Sequence, residues 1–375
     1  MSEPVRIADL RARAVRVPLP RPWGPGRDAV HLITCTVLAD DGRIGDGFSW
    51  TPQIGARAVL SLLRNEIREA VIGRPAHPQA VWDALWWHLH EAGGGGLTTM
   101  AMAGVDLALW DLVAVGAGHT VVDQIGRRRE QVPVYGSGVN LHYSLDELSE
   151  QARRWRDLGH PAVKVKVGSP DLHRDVERVG AVRDIVGPEV RLMVDANQRW
   201  NLPGARRAVA ALSRFDLHWV EEPLPSDDIE GYARLREAVD VPIALGENVY
   251  TGYQFRDLLI RGAVDVVQPN LVRVGGITPF LRIAELAATF DVPVAPHLLI
   301  EASGQLACCL PLPSMVEDVE GASFEALGLL AEPGPIVVEA GLVSPRGSPG
   351  LGLRFELDGF EELDPLDHPW ALSRT

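Results

Sequence analysis

Lys164 and Lys166 stand two residues apart in the stretch A-V-K-V-K-V (Ala162–Val167). Residues two apart on a strand share one face, about 7 Å from each other. At an effective dielectric of ~20 their mutual repulsion is roughly 2.4 kcal/mol. That moves a lysine toward a base usable near neutral pH. An edge strand with both lysines in solvent explains the same pattern. The acids downstream favour the interior. Asp195 closes Arg191–Val194, Glu221 closes His218–Val220, and Glu247 follows Ile243–Gly246, with equal intervals between the three. That interval suits one strand, one helix and two short loops. Each acid then sits at the C-terminal end of a parallel strand, the functional face of a barrel. Three carboxylates there suit a hard divalent cation such as Mg²⁺, which takes oxygen ligands. A lone strand-end acid is usually a helix cap or a loop charge, but three in register after a K-x-K strand are not explained that way.

The elements that must position these residues follow from patterning. From about Val132 the chain reads strand, loop, helix, repeatedly. Strands are expected at Val132–Tyr135, Ala162–Val167, Arg191–Asp195, His218–Glu221, Pro242–Gly246, Val264–Gln268, Pro293–Pro296 and Ser314–Glu317. Eight strands alternating with helical patterns predict an α/β fold, a modified (β/α)8 barrel over residues 129–340. Residues 1–128 read as a separate α+β cap, with strands at Ala12–Val17, His31–Leu38 and Ile44–Phe48 and helices at Ala56–Ile72, Gln79–His90 and Thr98–Val115. The Gly/Pro-rich segment 341–375 is expected to return to the cap. Leu19–Asp28 is too rich in Pro and Gly for regular structure. It carries Arg21, Trp23 and Arg27, as a lid over the site or as a plain surface loop. Ser49–Gln53, with Trp50, is a second candidate lid. Gly93–Gly96 lacks a P-loop lysine and is read as a flexible connector. Asp106 and Asp111 lie on a helical pattern and suit capping or ion pairing better than catalysis.

Composition narrows the partners. The 375 residues are 46% hydrophobic and 23% charged, with a formal net charge of −14. Such a composition describes an ordinary soluble globular protein, and the acidic balance argues against nucleic acid or an anionic membrane as partner. Cys35, Cys308 and Cys309 provide neither a disulfide framework nor a zinc spacing. Buried free thiols in a reducing compartment fit them. No apolar signal core opens the sequence and no run of 18 apolar residues occurs, so a cytoplasmic protein is expected.

With K-V-K, Asp195, Glu221-Glu222-Pro223, Gly246-Glu247-Asn248 and His297 in one order, the chain resembles the enolase superfamily, in its mandelate racemase branch. The likeness extends through A-G-V-D-L-A-L-W-D (Ala103–Asp111) and V-D-V-V-Q-P-N-L-V-R-V-G-G-I-T (Val264–Thr278). It implies that Asp195, Glu221 and Glu247 hold one Mg²⁺ per subunit. It implies Lys166 as an acid/base, Lys164 as a charge neutralising the substrate carboxylate, and His297 as the acid/base on the opposite face. Glu317, in protonated form at the end of the eighth strand, would hydrogen-bond a carboxylate oxygen. Asn197 would touch substrate. The branch usually pairs the histidine with an aspartate at the end of the sixth strand, where this chain has Asn270. An asparagine can accept from the imidazole N–H and orient the ring without adding charge. That weakens a two-base racemase and leaves Lys166 as base with His297 as acid.

The function so implied is a Mg²⁺-dependent dehydratase of a hydroxy acid of the sugar-acid class: α-proton abstraction beside a carboxylate, an enediolate stabilised by the metal, and β-elimination of water. A racemase, epimerase or cycloisomerase would use the same enolate. A degenerate anion-binding barrel is the non-catalytic alternative. The expected partner is a small carboxylate, and the expected assembly a homo-oligomer. Specificity is assigned to the two lids and to Asn140, Arg199 and Arg273 at strand ends, with Arg21 or Arg27 meeting a distal carboxylate.

Overall fold

The computed structural model describes residues 4–363. Strands β1 (Ile7–Pro18), β2 (Ala29–Ala39) and β3 (Ile44–Thr51) form the antiparallel cap sheet. The apolar helix Leu97–Ala117 lies against it and is mostly buried. It is long and apolar enough to cross a membrane, but its length is spent inside the protein. Gly45 and Gly47 of β3 allow this close packing. A Cβ on them would stand 2.1 Å from the Ala108 carbonyl oxygen and 2.3 Å from that of Gly104. The two acids of the helix hold neighbouring backbone and make no ion pair among the described residues. Asp106 accepts the Thr278 N–H, capping the helix Ile277–Ala288 from outside, and Asp111 accepts from Asp46 N and Leu351 N.

The second sheet supplies the rim that carries the three acids and the two lysines. Strands β4 (Val132–Ser137), β5 (Ala162–Lys166), β6 (Arg191–Asp195), β7 (Leu217–Glu221), β8 (Ile243–Leu245) and β9 (Val266–Val267) are parallel neighbours in chain order. Helices connect them. Several carry side-chain N-caps, such as the Ser144/Glu147 capping box that starts Leu145–Asp157. The expected seventh strand is reduced to a single bridge, Val294 to Val267, because the prolines at 293 and 296 lack a donor. β10 (Val316–Val319) pairs with β4 and returns the wall to its start. The wall is rolled. Tyr135 of β4 meets Trp219 of β7 at 5.6 Å between ring centroids, whereas strands three apart in an open sheet lie about 14 Å from each other. Between 293–295 and β10 the link is a side chain, Ser314 Oγ donating to the Val294 carbonyl.

The C-terminal stretch does two jobs. β11 (Ile336–Glu339) and β12 (Leu342–Pro345) make a hairpin on the outer edge of β4, so the expected return to the cap starts later than residue 341. Beyond it Phe355 packs on Phe48, and β13 (Glu361–Glu362) adds to β1. The rest of that segment, 364–375, lies outside the described residues.

Candidate active site

Strand register builds the site. The β5–β6–β7 ladder aligns Lys166 with Asp195 and Asp195 with Glu221, placing three ionisable groups side by side at the C-terminal rim. Asp195, Glu221 and Glu247 are all buried, with ligand oxygens within 4.8 Å of one another. Burial and the neighbouring acids Asp195, Glu317 and Glu247 push Glu221 well above the ordinary carboxylate range. Glu247 goes the other way: burial would raise it, but His297, Lys166 and Arg273 hold it well below. Its Oε2 lies 2.8 Å from His297 Nε2 yet has no aligned hydrogen-bond donor. An all-oxygen, buried, mutually repelling set with an orphaned oxygen fits a hard divalent cation.

The lysines are ion-paired. Lys164 Nζ lies 2.6 Å from Glu221 and 2.7 Å from Glu317, with Asp195 at 3.6 Å. Lys166 Nζ pairs with Asp195 Oδ2. Burial disfavours both charges, but Glu221 and Glu317 around Lys164, and Asp195 against Lys166, outweigh it and hold both lysines above their ordinary value. The expectation that mutual repulsion would depress them is overturned in this state, because the surrounding carboxylates outnumber the ammonium groups.

Glu317 also departs from expectation. It sits inside β10, not at its end, and accepts on every side: from Ser137 Oγ at 2.7 Å, Leu298 N at 3.0 Å and Lys164. Burial opposes ionisation, but Lys164, His297 and Lys166 bring it down to about 2. It is a carboxylate here and not the protonated donor that was expected.

At His297 the asparagine reverses the expected hydrogen bond. Asn270 Oδ1 is taken by the N–H groups of Val272 at 3.1 Å and Arg273 at 3.0 Å, so its NH₂ faces His297 Nδ1 at 3.0 Å. The ring nitrogen accepts, which places the imidazole proton on Nε2, the nitrogen turned toward Glu247. Sharp turns follow the site residues: Asn197, Gln198, Glu222, Leu298 and Leu299 all have left-handed φ without being glycine. Such strain persists where the surrounding structure fixes it, commonly at active sites.

A cavity of ≈140 Å³ over this rim is lined by Lys166, Asn197, Glu247, His297 and Glu317, with Trp23, Arg27, Trp50 and Arg273 around it. The loop Leu19–Asp28 lines the cavity through Trp23 and Arg27, is closed on itself by Leu19 N to Asp28 O and Trp23 N to Arg27 O, and packs Trp23 on Trp50 at 6.0 Å. Three other expectations are corrected. Ser49–Thr51 belongs to β3, so Trp50 is a rigid, buried wall and not part of a loop. Arg21 is spent on Glu147 at 2.7 Å and on the Tyr143 ring, away from the cavity. Asn140 is fully buried and holds β5 through the Lys166 N–H at 3.0 Å. Arg273 lines the cavity but also donates to the Glu247 carbonyl at 2.7 Å, so it positions that strand end. Sequence reasoning passed over Gln268, which donates to Glu221 Oε2 at 2.6 Å, and Ser137 beneath Glu317. Both stand at or beside strand ends, the signal that found the acids.

This fold and this site belong to one family. Residues 9–126 match the mandelate racemase / muconate lactonizing enzyme N-terminal domain, and residues 147–359 match the enolase C-terminal domain-like family. The chain is a member of the enolase superfamily, in the mandelate racemase and muconate lactonizing enzyme branch. Among its relatives, the 3,6-anhydro-alpha-L-galactonate cycloisomerase of Streptomyces coelicolor is 35% identical across 96% of this chain and 99% of that protein. The L-talarate/galactarate dehydratase of Salmonella typhimurium is 36% identical across 78% and 73%. The structure of L-talarate dehydratase from Polaromonas, complexed with Mg and L-glucarate, superposes with a TM-score of 0.85 at 36% identity, covering 94% of this chain and 95% of that one.

Proposed function

We propose that the protein is a Mg²⁺-dependent dehydratase of a sugar acid, with Lys166 as base and His297 as acid. The carrying observation is the Asn270–His297 pair: an N–H fixed on Nε2 faces the same cavity as the Lys166 amine. β-Elimination needs one base and one acid, whereas racemisation needs two groups that each take a proton. Asp195, Glu221 and Glu247 would hold the cation, which supplies charge neutralisation for a substrate carboxylate. Lys164 adds a fixed positive charge behind them. Were Asp195 to hold a cation, its pairing with the Lys166 ammonium would weaken, leaving the Lys166 amine to take the α-proton. The Cα–H electron pair forms the Cα=Cβ bond as the β C–O bond breaks, and the leaving hydroxide takes the Nε2 proton of His297 as water. The enol so released becomes a 2-keto acid. Trp23 and Trp50 supply an apolar side to the cavity.

A cycloisomerase is the second reading, favoured by end-to-end likeness to the anhydrogalactonate enzyme. There the departing oxygen stays attached to the product. Incubating a sugar-acid panel with the Mg²⁺-loaded protein separates the two. A semicarbazide-reactive product lighter by one water supports dehydration. A product of unchanged mass supports the isomerase. Buried thiols at Cys35, Cys308 and Cys309 accord with a cytoplasmic setting, and exposed Trp87 and Tyr253 accord with a homo-oligomer.

A further inference from the structure

The catalytic cavity opens into a second chamber of ≈390 Å³, sharing Trp23, Arg27, Lys166 and Asn197 with it. Three arginines from three parts of the chain meet there: Arg27 from the cap loop, Arg174 from the helix after β5, and Arg199 from the loop after β6. His142 stands beside them. No Asp or Glu lines this chamber, in a chain with 50 acids against 36 lysines and arginines. Among the described residues, the side chains of Arg27 and Arg199 have no hydrogen-bond or ion-pair partner, and Arg174 reaches only the Leu141 and Tyr143 carbonyls at 3.4 Å. Other arginines near the cap–barrel boundary do carry a carboxylate partner, as in Arg21–Glu147 and Arg154–Glu320.

We infer that this chamber is a second anion subsite that selects substrates with a carboxylate at both ends. The inference rests on the sugar-acid reading above: the Lys164/carboxylate end takes the carboxylate next to the acidic carbon, and the chamber takes the far one. The loop chemistry separates a carboxylate from a phosphate. Phosphate sites draw on free backbone N–H groups, and here those of Gly168 and Ser169 are committed to buried Asp175, at 2.8 and 2.9 Å. What remains is guanidinium forks, which match a carboxylate two oxygens at a time. Arg27 belongs to the cap and the other two to the barrel, so a distal carboxylate bridges the two.

The test compares six-carbon aldarates with the aldonates that differ only in a terminal CH₂OH, using calorimetry on the full-length Mg²⁺-loaded Lys166→Ala protein, which binds without turning over. The best diacid should bind about tenfold tighter than its monoacid or more, the scale of one or two hydrogen bonds to a charged group. Arg174→Gln/Arg199→Gln should erase that preference by weakening the diacid more than the monoacid, and Arg199→Lys should restore part of it. Added salt should narrow the gap. Equal affinity for both series, or a preference that survives the double substitution, overturns the subsite. Tighter binding of 6-phosphoaldonates overturns the choice of carboxylate. Failure of the dehydratase reading looks different: the diacid binds as stated, but the unsubstituted protein releases no water from it.

Discussion

Replacing Asn270 with aspartate tests where His297 keeps its proton. The two backbone N–H bonds to Oδ1, from Val272 and Arg273, fix the side chain, so a carboxylate would occupy the same pose. The atom facing Nδ1 across 3.0 Å then changes from donor to acceptor. The present neutral hydrogen bond favours the Nε2–H ring by about 1 kcal/mol, and a charge-assisted bond to aspartate would favour Nδ1–H by about 2 kcal/mol. The swing is about 3 kcal/mol, roughly a hundredfold in the tautomer ratio. ¹⁵N-resolved spectra of imidazole-labelled protein read this directly. Nε2–H is expected in the parent and Nδ1–H in Asn270→Asp. The substituted enzyme should still exchange the substrate α-hydrogen with D₂O through Lys166, while product formation falls at pH values where the ring is neutral, since Nε2 then carries no proton. A parent ring found protonated on Nδ1 would refute the argument and with it the acid role of His297.

Three further outcomes follow from the same geometry. Chelation should abolish turnover and Mg²⁺ should restore it, with Asp195→Asn folding normally but binding metal weakly by calorimetry; full turnover without metal removes the carboxylate assignment. In D₂O, Lys166→Ala should lose α-hydrogen exchange while His297→Asn retains some, and the opposite pattern would exchange their roles. Asp106, raised by burial to about 7, has a folded value above its unfolded one, so its contribution to stability is present below about pH 4 and lost as pH rises through about 7. That loss is at most about 4 kcal/mol; Asp106→Asn keeps the Thr278 contact and should flatten the urea-midpoint profile across this range, and an unchanged slope excludes Asp106 as its source.

Much of this architecture was legible in one sequence because a parallel strand that ends in an acid carries two signals, an apolar run and its stop. The cap and the alternating barrel-type unit follow from such patterns. What was hidden is mostly long-range pairing. Arg21 looks available until Glu147 arrives from the other domain, and nothing local says that Asn140 turns inward to hold β5. The charge of Lys164 is set by Glu221 and Glu317 on other strands, so strand spacing alone predicted the wrong direction. Trp50 reads as a loop residue because the turn-like S-W-T-P stretch masks the run of β3 beyond Phe48 and its pairing with β2. The hairpin β11–β12 and strand β13 come from a Gly/Pro-rich tail in which local propensity is weak and the partner strand decides.

The pairing of β13 with β1 has a consequence for how such enzymes can be rebuilt. The cap sheet is a shared construction: three of its strands come from residues 7–51, and the fourth arrives only after the barrel wall has been traced. Residues 1–128 are therefore not a transferable cassette. Grafted onto a related barrel, they would meet a foreign edge strand at Val15 and Arg16 and a foreign partner for Asp111. The lid loop, whose ends are tied to each other by Leu19 and Asp28, adds no strand to the sheet and meets the barrel through side chains, Arg21 on Glu147 among them. Exchange of that loop alone is the smallest change that can retune the cavity while leaving the cap sheet whole.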